Sequence, residues 1–183
     1  MAVMKQHPVV VIGDLVGSRL ARDRGALHRS LSTALDRVNQ RWGTDLRITV
    51  GDEFQGTVPS LGVATAVTLA ARLDLLPEHD LRCGIGRGPT AVLDRATGVE
   101  DGPGWWAARA AIEAVEDLAA RPATRGARTS YRSTDVEEPV AALDAALLAR
   151  DELVGRLGER SLSVLRGLLS GRTQREVAAD EQV

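Results

Sequence analysis

The sequence is poor in cysteine, histidine and aromatic residues. Its 183 residues include one cysteine and three histidines, and aromatic residues make up only 3%. A single cysteine excludes an internal disulfide and a cysteine-rich zinc site. His7, His28 and His79 lack the i, i+4 spacing of a histidine-based metal site. The core is therefore expected to consist of Leu, Val, Ile and Ala, with Cys83 as an inert thiol inside it.

Long apolar runs and a strong net charge are also absent. No run approaches the roughly 20 apolar residues that span a bilayer, and the segment before Pro8 lacks the apolar region of a signal peptide. The formal net charge of −2 provides no overall basic field for nucleic acid or an anionic membrane. We expect a globular protein of the cytoplasm with no membrane partner.

Two common phosphate-binding signatures are missing as well. Gly84, Gly86 and Gly88 are spaced two residues apart, and neither G-x-G-x-x-G nor G-K-[ST] occurs in the sequence. This spacing excludes the dinucleotide-binding loop and the P-loop. Arg82 and Arg87, which flank these glycines, fit surface or salt-bridge positions better than phosphate contacts.

The pattern of apolar residues predicts the order strand, helix, hairpin, helix, strand. The predicted elements are a buried strand at 8–12, an amphipathic helix at 24–42, a hairpin at 45–58, a helix capped by Ser60 and running to about Leu75, and a strand at 81–86. This order is typical of the α+β ferredoxin-like fold, an antiparallel sheet with both helices on one face. A short strand at 90–93 is expected to pair back onto the strand before it.

The rest of the chain is predicted to be mainly helical. It contains predicted helices at 105–120, 136–157, 159–169 and 173–179, and a strand near 127–131. Trp105 and Trp106, near the start of the first of these helices, fit packing better than base stacking. We expect an α+β domain over residues 1–135 and a C-terminal helical segment over residues 136–183.

Acidic residues stand at the ends of two predicted strands. Asp14 follows the first strand, and Asp52 and Glu53 follow Gly51 at the tip of the hairpin. Because the first strand of this fold lies beside the hairpin, Asp14 and Asp52 are expected to lie close together. Carboxylate oxygens are ligands for Mg²⁺ or Mn²⁺, and solvated turn acids are the alternative for each residue.

The loop after the first strand offers groups that suit phosphate. Gly17 allows close approach of the backbone, and Ser18 and Arg19 carry donors. An ordinary loop surface is the alternative interpretation.

Four blocks of sequence together resemble the SatD family. They are G-D-L-V-G-S-R at 13–19, I-T-V-G-D-E-F-Q-G at 48–56, R-C-G-I-G-R-G at 82–88 and D-G-P-G-W-W-A-A-R at 101–109. The same blocks are similar, more loosely, to class III nucleotidyl cyclases and to palm domains of the GGDEF type. This resemblance implies a palm-type site in which Asp14 and Asp52 hold metal, the loop at 15–19 faces phosphate, and Arg109 steadies the transition state.

Two positions depart from the cyclase pattern. The asparagine that precedes the arginine in cyclases is Trp105 here, and an indole has one donor and no acceptor. The lysine that reads the purine in adenylyl cyclases is Ile48 here. Because these departures argue against cyclisation, the resemblance implies a nucleotide site before it implies a particular reaction. Cyclase sites often form across a dimer, so a homodimer remains an open alternative.

The C-terminal segment resembles the first two helices of a helix-turn-helix. Residues 161–169 and 171–178 are similar to those of sigma-factor region four. The chain ends at Val183, where a recognition helix is expected to begin, so the element that would read the DNA major groove is expected to be missing.

Three functional hypotheses follow. In the first, the site binds a nucleoside triphosphate with Mg²⁺ or Mn²⁺ through Asp14, Asp52 and Glu53, and catalyses nucleotidyl or phosphoryl transfer. In the second, the chain is a non-catalytic nucleotide sensor or DNA-binding transcriptional regulator. In the third, it is a structural module whose acids are solvated.

Overall fold

The computed structural model of the chain describes residues 7–18, 21–94 and 96–180. In this part of the chain the strands are β1 (Val9–Leu15), β2 (Arg47–Ile48), β3 (Phe54–Val58), β4 (Leu81–Arg87), β5 (Ala91–Asp94), β6 (Val99–Asp101) and β7 (Thr129–Ser133). The helices are α1 (Arg24–Trp42), α2 (Leu61–Leu75), α3 (Pro103–Ala119), α4 (Val140–Val154), α5 (Glu159–Leu169) and α6 (Gln174–Asp180).

Five strands form a mixed sheet in the order β2-β3-β1-β4-β7. The first four strands in this order pair antiparallel, whereas β7 runs parallel to β4. The predicted α+β class and the position of the first strand beside the hairpin are confirmed. The strand predicted near 127–131 corresponds to β7, and its parallel pairing with β4 is a feature that the sequence pattern did not predict.

Helices α1 and α2 cover one face of the sheet and enclose the main core. Their predicted bounds are confirmed. They could be predicted because residues next to the helix ends cap them. Asp23 accepts a hydrogen bond from the Ala26 amide at 2.8 Å, Ser60 accepts one from the Val63 amide at 3.2 Å, and Gly43 ends α1 with φ of 63°. Cys83 lies within this core, and burial raises the pKa of its thiol, as expected of an inert core cysteine.

Helix α3 covers the other face of the sheet, which the prediction of helices on one face did not include. It packs Ala108 and Ile112 against Val10 and Ile12 of β1. Because side chains alternate between the two faces of a strand, Val10 and Ile12 point away from the face that α1 and α2 cover. The sheet is thus enclosed between two layers of helix.

The strand predicted at 90–93 does not pair back onto β4. It forms β5, which pairs antiparallel with β6 in a separate two-stranded ribbon. The register runs from Ala91 opposite Asp101 to Asp94 opposite Val99. This strand cannot pair with β4, because β4 already pairs with β1 on one edge and with β7 on the other, so neither edge is open to a further strand.

A buried network of ion pairs ties α4 to the sheet and to α2. Asp151 is fully buried and accepts hydrogen bonds from Arg72 at 3.3 Å, from Arg150 at 3.0 Å and from the Arg128 amide at 2.9 Å. Asp80 accepts from Arg72 at 2.7 Å and from Arg128 at 2.6 Å. Since Asp151 is 79 residues from Arg72 and 23 from Arg128, and Arg128 is 48 from Asp80, these bonds fix the C-terminal segment against the start of β4.

The C-terminal helices extend from this anchor along α2. Leu162 of α5 packs with Leu73 and Val154 in a small apolar cluster. Arg166 donates hydrogen bonds at 2.6 Å to the carbonyls of Leu73 and Leu76 at the end of α2. The helix predicted at 136–157 is shorter than expected, since α4 begins at Val140 after Pro139. No helix within the described ranges has the length and apolar character needed to cross a membrane.

The Asp80 carboxyl makes part of the stability dependent on pH. Burial disfavours its charged form, but hydrogen bonds and charge from Arg72 and Arg128 outweigh this cost, so its pKa lies below the usual value. The folded protein therefore binds this proton less tightly than the unfolded chain, whose Asp pKa is about 3.9. The resulting stabilisation is complete above that pKa and is lost as the pH falls below it.

We expect Asp80→Asn to weaken this acid dependence. Its free energy of unfolding should be lower than that of the wild type near neutral pH, and the difference should shrink as the pH falls below about 4. Urea unfolding at a series of pH values between about 3 and 7 measures both curves. A difference that stays constant over this range would contradict the assignment.

Candidate functional site

Asp14 and Arg82 form a bidentate ion pair at the C-terminal end of β1. The antiparallel register sets the two residues opposite each other on neighbouring strands, so their side chains share one face of the sheet. Arg82 Nε donates to Asp14 Oδ1 at 2.9 Å, and Arg82 Nη2 donates to Asp14 Oδ2 at 2.7 Å. Both side chains are about one fifth exposed. Both carboxylate oxygens of Asp14 are therefore held by one guanidinium.

Two further carboxylates act on the same guanidinium. Glu116 of α3 lies 2.8 Å from Arg82 Nη2 through its Oε1, and the charge of Asp52 also reaches Arg82. Partial burial disfavours the charged form of Arg82, but the hydrogen bond to Asp14 and the three negative charges raise its pKa above the usual value. Two carboxylates thus contact the guanidinium, and the charge of a third acts on it.

The hairpin presents Asp52 and Glu53 as predicted. The Glu53 amide donates to the Val50 carbonyl at 3.0 Å, the Thr49 amide donates to the Glu53 carbonyl at 2.9 Å, and Gly51 has φ of 65°. Asp52 is half-buried and Glu53 is exposed. The structure brings Asp52 into the field of Arg82, whereas Glu53 makes no side-chain contact with the other site residues of the described chain.

The loop after β1 lies at the same edge of the sheet. Gly17 has φ of 72°, is exposed and has open space on its side-chain side. Ser18 is buried, and its carbonyl accepts a hydrogen bond from the Ala21 amide at 3.1 Å. Arg19, which the sequence predicts as a phosphate-binding residue, lies outside the described residues.

Arg109 of α3 forms no hydrogen bond or ion pair with these carboxylates among the described residues. Arg109 is exposed and has no hydrogen-bond or ion-pair partner among the described residues. Glu116 lies seven residues further along the same helix, which corresponds to about two turns or 10 Å. The contact that α3 makes with the Asp14–Arg82 pair is thus that of Glu116 with Arg82.

The two tryptophans at the start of α3 have different environments. Trp105 packs against the cluster of Val10 and Ile12, which agrees with the packing interpretation, and its indole Nε1 is buried without an acceptor among the described residues. Trp106 is largely exposed and donates from Nε1 to Asp101 at 2.9 Å.

Sequence reasoning missed the role of Glu116 and underestimated that of Arg82. The salt-bridge interpretation of Arg82 and Arg87 is confirmed, since Arg87 pairs with Glu138. The pairing of Asp14 with Arg82 could have been predicted from the register of β1 against β4, because opposite charges at facing positions stabilise a sheet. No local signal marks Glu116, because its contact depends on how α3 crosses the sheet.

The donor set at this edge suits a divalent cation that also binds phosphate. No group of three or more His, Cys, Asp or Glu side chains with metal-holding geometry occurs in residues 7–18, 21–94 and 96–180. Mg²⁺ commonly uses only one or two protein carboxylates and completes its shell with water and substrate phosphates. Asp14 and Asp52 are the two carboxylates that the sequence predicts for this role, and Arg82 carries one positive charge against those of Asp14, Glu116 and Asp52.

Comparisons with known proteins identify a family and a group of similar folds. The model of the family described as SatD family matches residues 8–179. No curated protein matches the sequence.

Among solved structures, a dimeric guanylyl cyclase domain of the RhoGC fusion protein from the aquatic fungus Blastocladiella emersonii is 19% identical, with a TM-score of 0.49 over 59% of this chain and 74% of that chain. The guanylate cyclase domain of RhGC from Catenaria anguillulae, solved in complex with GTP, is 18% identical, with a TM-score of 0.49 over 59% of this chain and 72% of that chain. The adenylyl cyclase CyaB from P. aeruginosa is 16% identical, with a TM-score of 0.45 over 57% of this chain and 69% of that chain.

Proposed function

The chain belongs to the SatD family, and we propose that its Asp14–Asp52 edge binds the phosphates of a nucleotide together with a divalent cation. The observation that carries this proposal is that Arg82 contacts both Asp14 and Glu116, while the negative charge of Asp52 acts on the same guanidinium. One guanidinium cannot neutralise three carboxylates. A cation bound between Asp14 and Asp52 would balance the remaining charge.

The neighbouring loop supplies the groups that phosphate requires. Gly17 leaves the backbone open to a ligand, and the Ser18 hydroxyl lies one residue further along. The sequence resemblance of residues 13–19 and 48–56 to cyclase metal and phosphate blocks supports the same assignment. Arg109 stays a predicted phosphate contact, and its exposed guanidinium has no partner in the described chain to hold it away from a ligand.

In this proposal each residue has a defined task. Asp14 and Asp52 hold Mg²⁺ or Mn²⁺, Glu53 is a further candidate ligand at the hairpin tip, and Gly17 and Ser18 orient phosphate. When bound, the cation would neutralise phosphate charge and lower the pKa of an attacking hydroxyl. The enzymatic form of the proposal is nucleotidyl or phosphoryl transfer.

A non-catalytic sensor is the second candidate, and one observation favours it. The Val16 amide donates to the Asp80 carbonyl at 2.9 Å, and Asp80 shares Arg72 with the buried Asp151 of α4. The ligand loop is therefore connected through a short chain of bonds to the C-terminal helices. A ligand that shifts this loop would act on α4, the helix from which α5 and α6 follow.

Thermal unfolding with nucleotide and cation tests the proposal. We expect ATP or GTP with Mn²⁺ or Mg²⁺ to raise Tm, because ligand at 100 times its Kd stabilises a protein by about 2.7 kcal/mol, or roughly 5–10 °C for a chain of this size. Asp14→Asn and Asp52→Asn should each abolish the cation-dependent part. Asp117→Asn, which changes an exposed acid of α3 next to Glu116, is the matched control and should keep it.

Chromatography of the nucleotide after incubation separates the two candidates. A new nucleotide product that requires Asp14 and Asp52 indicates catalysis, and unchanged nucleotide with a positive Tm shift indicates a sensor. The absence of any shift with either nucleotide would overturn the binding proposal.

A further inference from the structure

Arg82 occupies the oxygens that a cation at this site would need. Its Nε and Nη2 take both carboxylate oxygens of Asp14, at 2.9 and 2.7 Å. Each carboxylate oxygen has a further lone pair, but a divalent cation bound there would lie within a few ångström of the guanidinium, and the repulsion of like charges opposes its binding. Asp14 would therefore bind a metal more weakly while Arg82 holds it than after Arg82 has moved away.

The structure offers Arg82 an alternative partner within reach. Its Nη2 already lies 2.8 Å from Glu116 Oε1, nearly as close as it lies to Asp14. Glu116 is about half exposed, so a guanidinium that turns towards it also turns towards solvent. A guanidinium fork binds phosphate in the same bidentate manner as it binds a carboxylate. A phosphate arriving at this edge can thus replace Asp14 as the partner of Arg82.

We propose that Arg82 is a built-in competitor of the metal, which makes cation binding depend on phosphate. Without ligand, the guanidinium neutralises Asp14 and opposes binding of the cation. When a nucleotide phosphate accepts the guanidinium, Asp14 is released to the cation, so cation and nucleotide bind as a pair. This inference rests on the proposed function and adds that the site takes the metal–nucleotide complex and discriminates against the free metal.

The binding of Mn²⁺ alone tests the competition directly. We expect Arg82→Gln to bind Mn²⁺ without nucleotide at least about tenfold more tightly than the wild type, since the repulsion between charges about 4 Å apart near a protein surface exceeds the energy of a tenfold change in affinity. Titration followed by the electron paramagnetic resonance of free Mn²⁺ gives both affinities. Arg87→Gln is the matched control, because it removes an ion-paired arginine from the same strand whose partner is Glu138, and it should leave Mn²⁺ binding unchanged.

Two further variants separate competition from a merely structural role. Glu116→Gln should weaken Mn²⁺ binding, because Arg82 then has only Asp14 to bind and the site loses a negative charge. Arg82→Lys keeps the charge without the bidentate fork and should give an affinity between those of the wild type and Arg82→Gln. Far-UV circular dichroism checks that each variant is folded, and Arg82→Lys replaces Arg82→Gln as the test if the latter is unfolded. Effects of opposite sign at positions 82 and 116 are not expected from a general loss of structure.

The outcomes distinguish this inference from the proposed function. If the wild type shows the cation-dependent nucleotide shift and the folded position-82 variant binds Mn²⁺ alone no better than the wild type, the competition is overturned and the proposed function stands. If neither protein binds Mn²⁺ with or without nucleotide, both are overturned. Tighter Mn²⁺ binding by the variant, together with a wild-type shift that needs both ligands, supports both.

Discussion

Asp151→Ala is expected to lower the free energy of unfolding by about 3–5 kcal/mol, the usual cost of removing one partner from a buried ion pair. Asp151 is fully buried, and its carboxylate accepts hydrogen bonds from Arg72, Arg150 and the Arg128 amide. Its removal leaves the Arg72 side chain, which is only 3% exposed, with a single carboxylate partner. The loss corresponds to a fall of roughly 6–20 °C in Tm.

The control for this prediction is a surface pair in the same region. Arg156, exposed just beyond α4, lies 3.3 Å from Glu152, and exposed pairs contribute about 0–1 kcal/mol. Arg156→Ala should therefore change the free energy of unfolding by less than about 1 kcal/mol. Urea unfolding of the three proteins measures both differences. A loss below about 1 kcal/mol for Asp151→Ala would mean that water reaches the network and that α4 is not anchored through it.

The sequence was most informative where local chemistry decides the structure. The bounds of α1 and α2 are predicted correctly because Asp23, Ser60 and Gly43 satisfy the ends of these helices with groups that lie beside them in the chain. The hairpin and the position of Asp52 at its tip follow from Gly51 in the same way. Each of these features is fixed by contacts across about four residues.

Prediction was poorer where contacts join distant parts of the chain. The strand predicted at 90–93 was assigned to the wrong partner because its own residues do not show that both edges of β4 are occupied. The bonds of Asp14 to Arg82 and of Arg82 to Glu116 join residues 68 and 34 positions apart, and they depend on sheet register and on the path of α3. Which carboxylates share a guanidinium is thus a property of the fold.

The glycines of β4 do not form a phosphate-binding loop, as their spacing predicts, but the sequence did not reveal that they allow α3 to pack closely on the strand. Their spacing rules out a phosphate loop, and the structure shows that alternate positions of the strand face α3. A Cβ atom on Gly84 would lie 2.3 Å from the Ala108 carbonyl oxygen, and one on Gly86 would lie 2.2 Å from the Ala108 amide nitrogen. The helix backbone therefore rests directly on the strand, which sets the position of Glu116 relative to Arg82.

Gly86→Ala is expected to cost about 3 kcal/mol or more, at the upper end of the range for overpacked cores. The added methyl group would meet the Ala108 nitrogen at 2.2 Å and the Gly104 oxygen at 2.4 Å, and both are backbone atoms of α3. No side-chain rotation can relieve such a contact, so the N-terminal half of the helix has to move away from the sheet. That movement opens the apolar contact of Ala108 and Ile112 with β1.

The same substitution at Gly62 is the control, and its expected sign is opposite. Gly62 is exposed in the first turn of α2, and its added Cβ would have only the Ser60 hydroxyl nearby, at 3.9 Å. Gly62→Ala should therefore stabilise the protein by roughly 0.5–1 kcal/mol, the usual difference between alanine and glycine in a helix. Urea unfolding compares the two variants with the wild type. If Gly86→Ala were as stable as the wild type, α3 could not pack on β4 as closely as the distances at Gly86 indicate. The contact between Glu116 and Arg82, which depends on this close packing, would then be overturned as well.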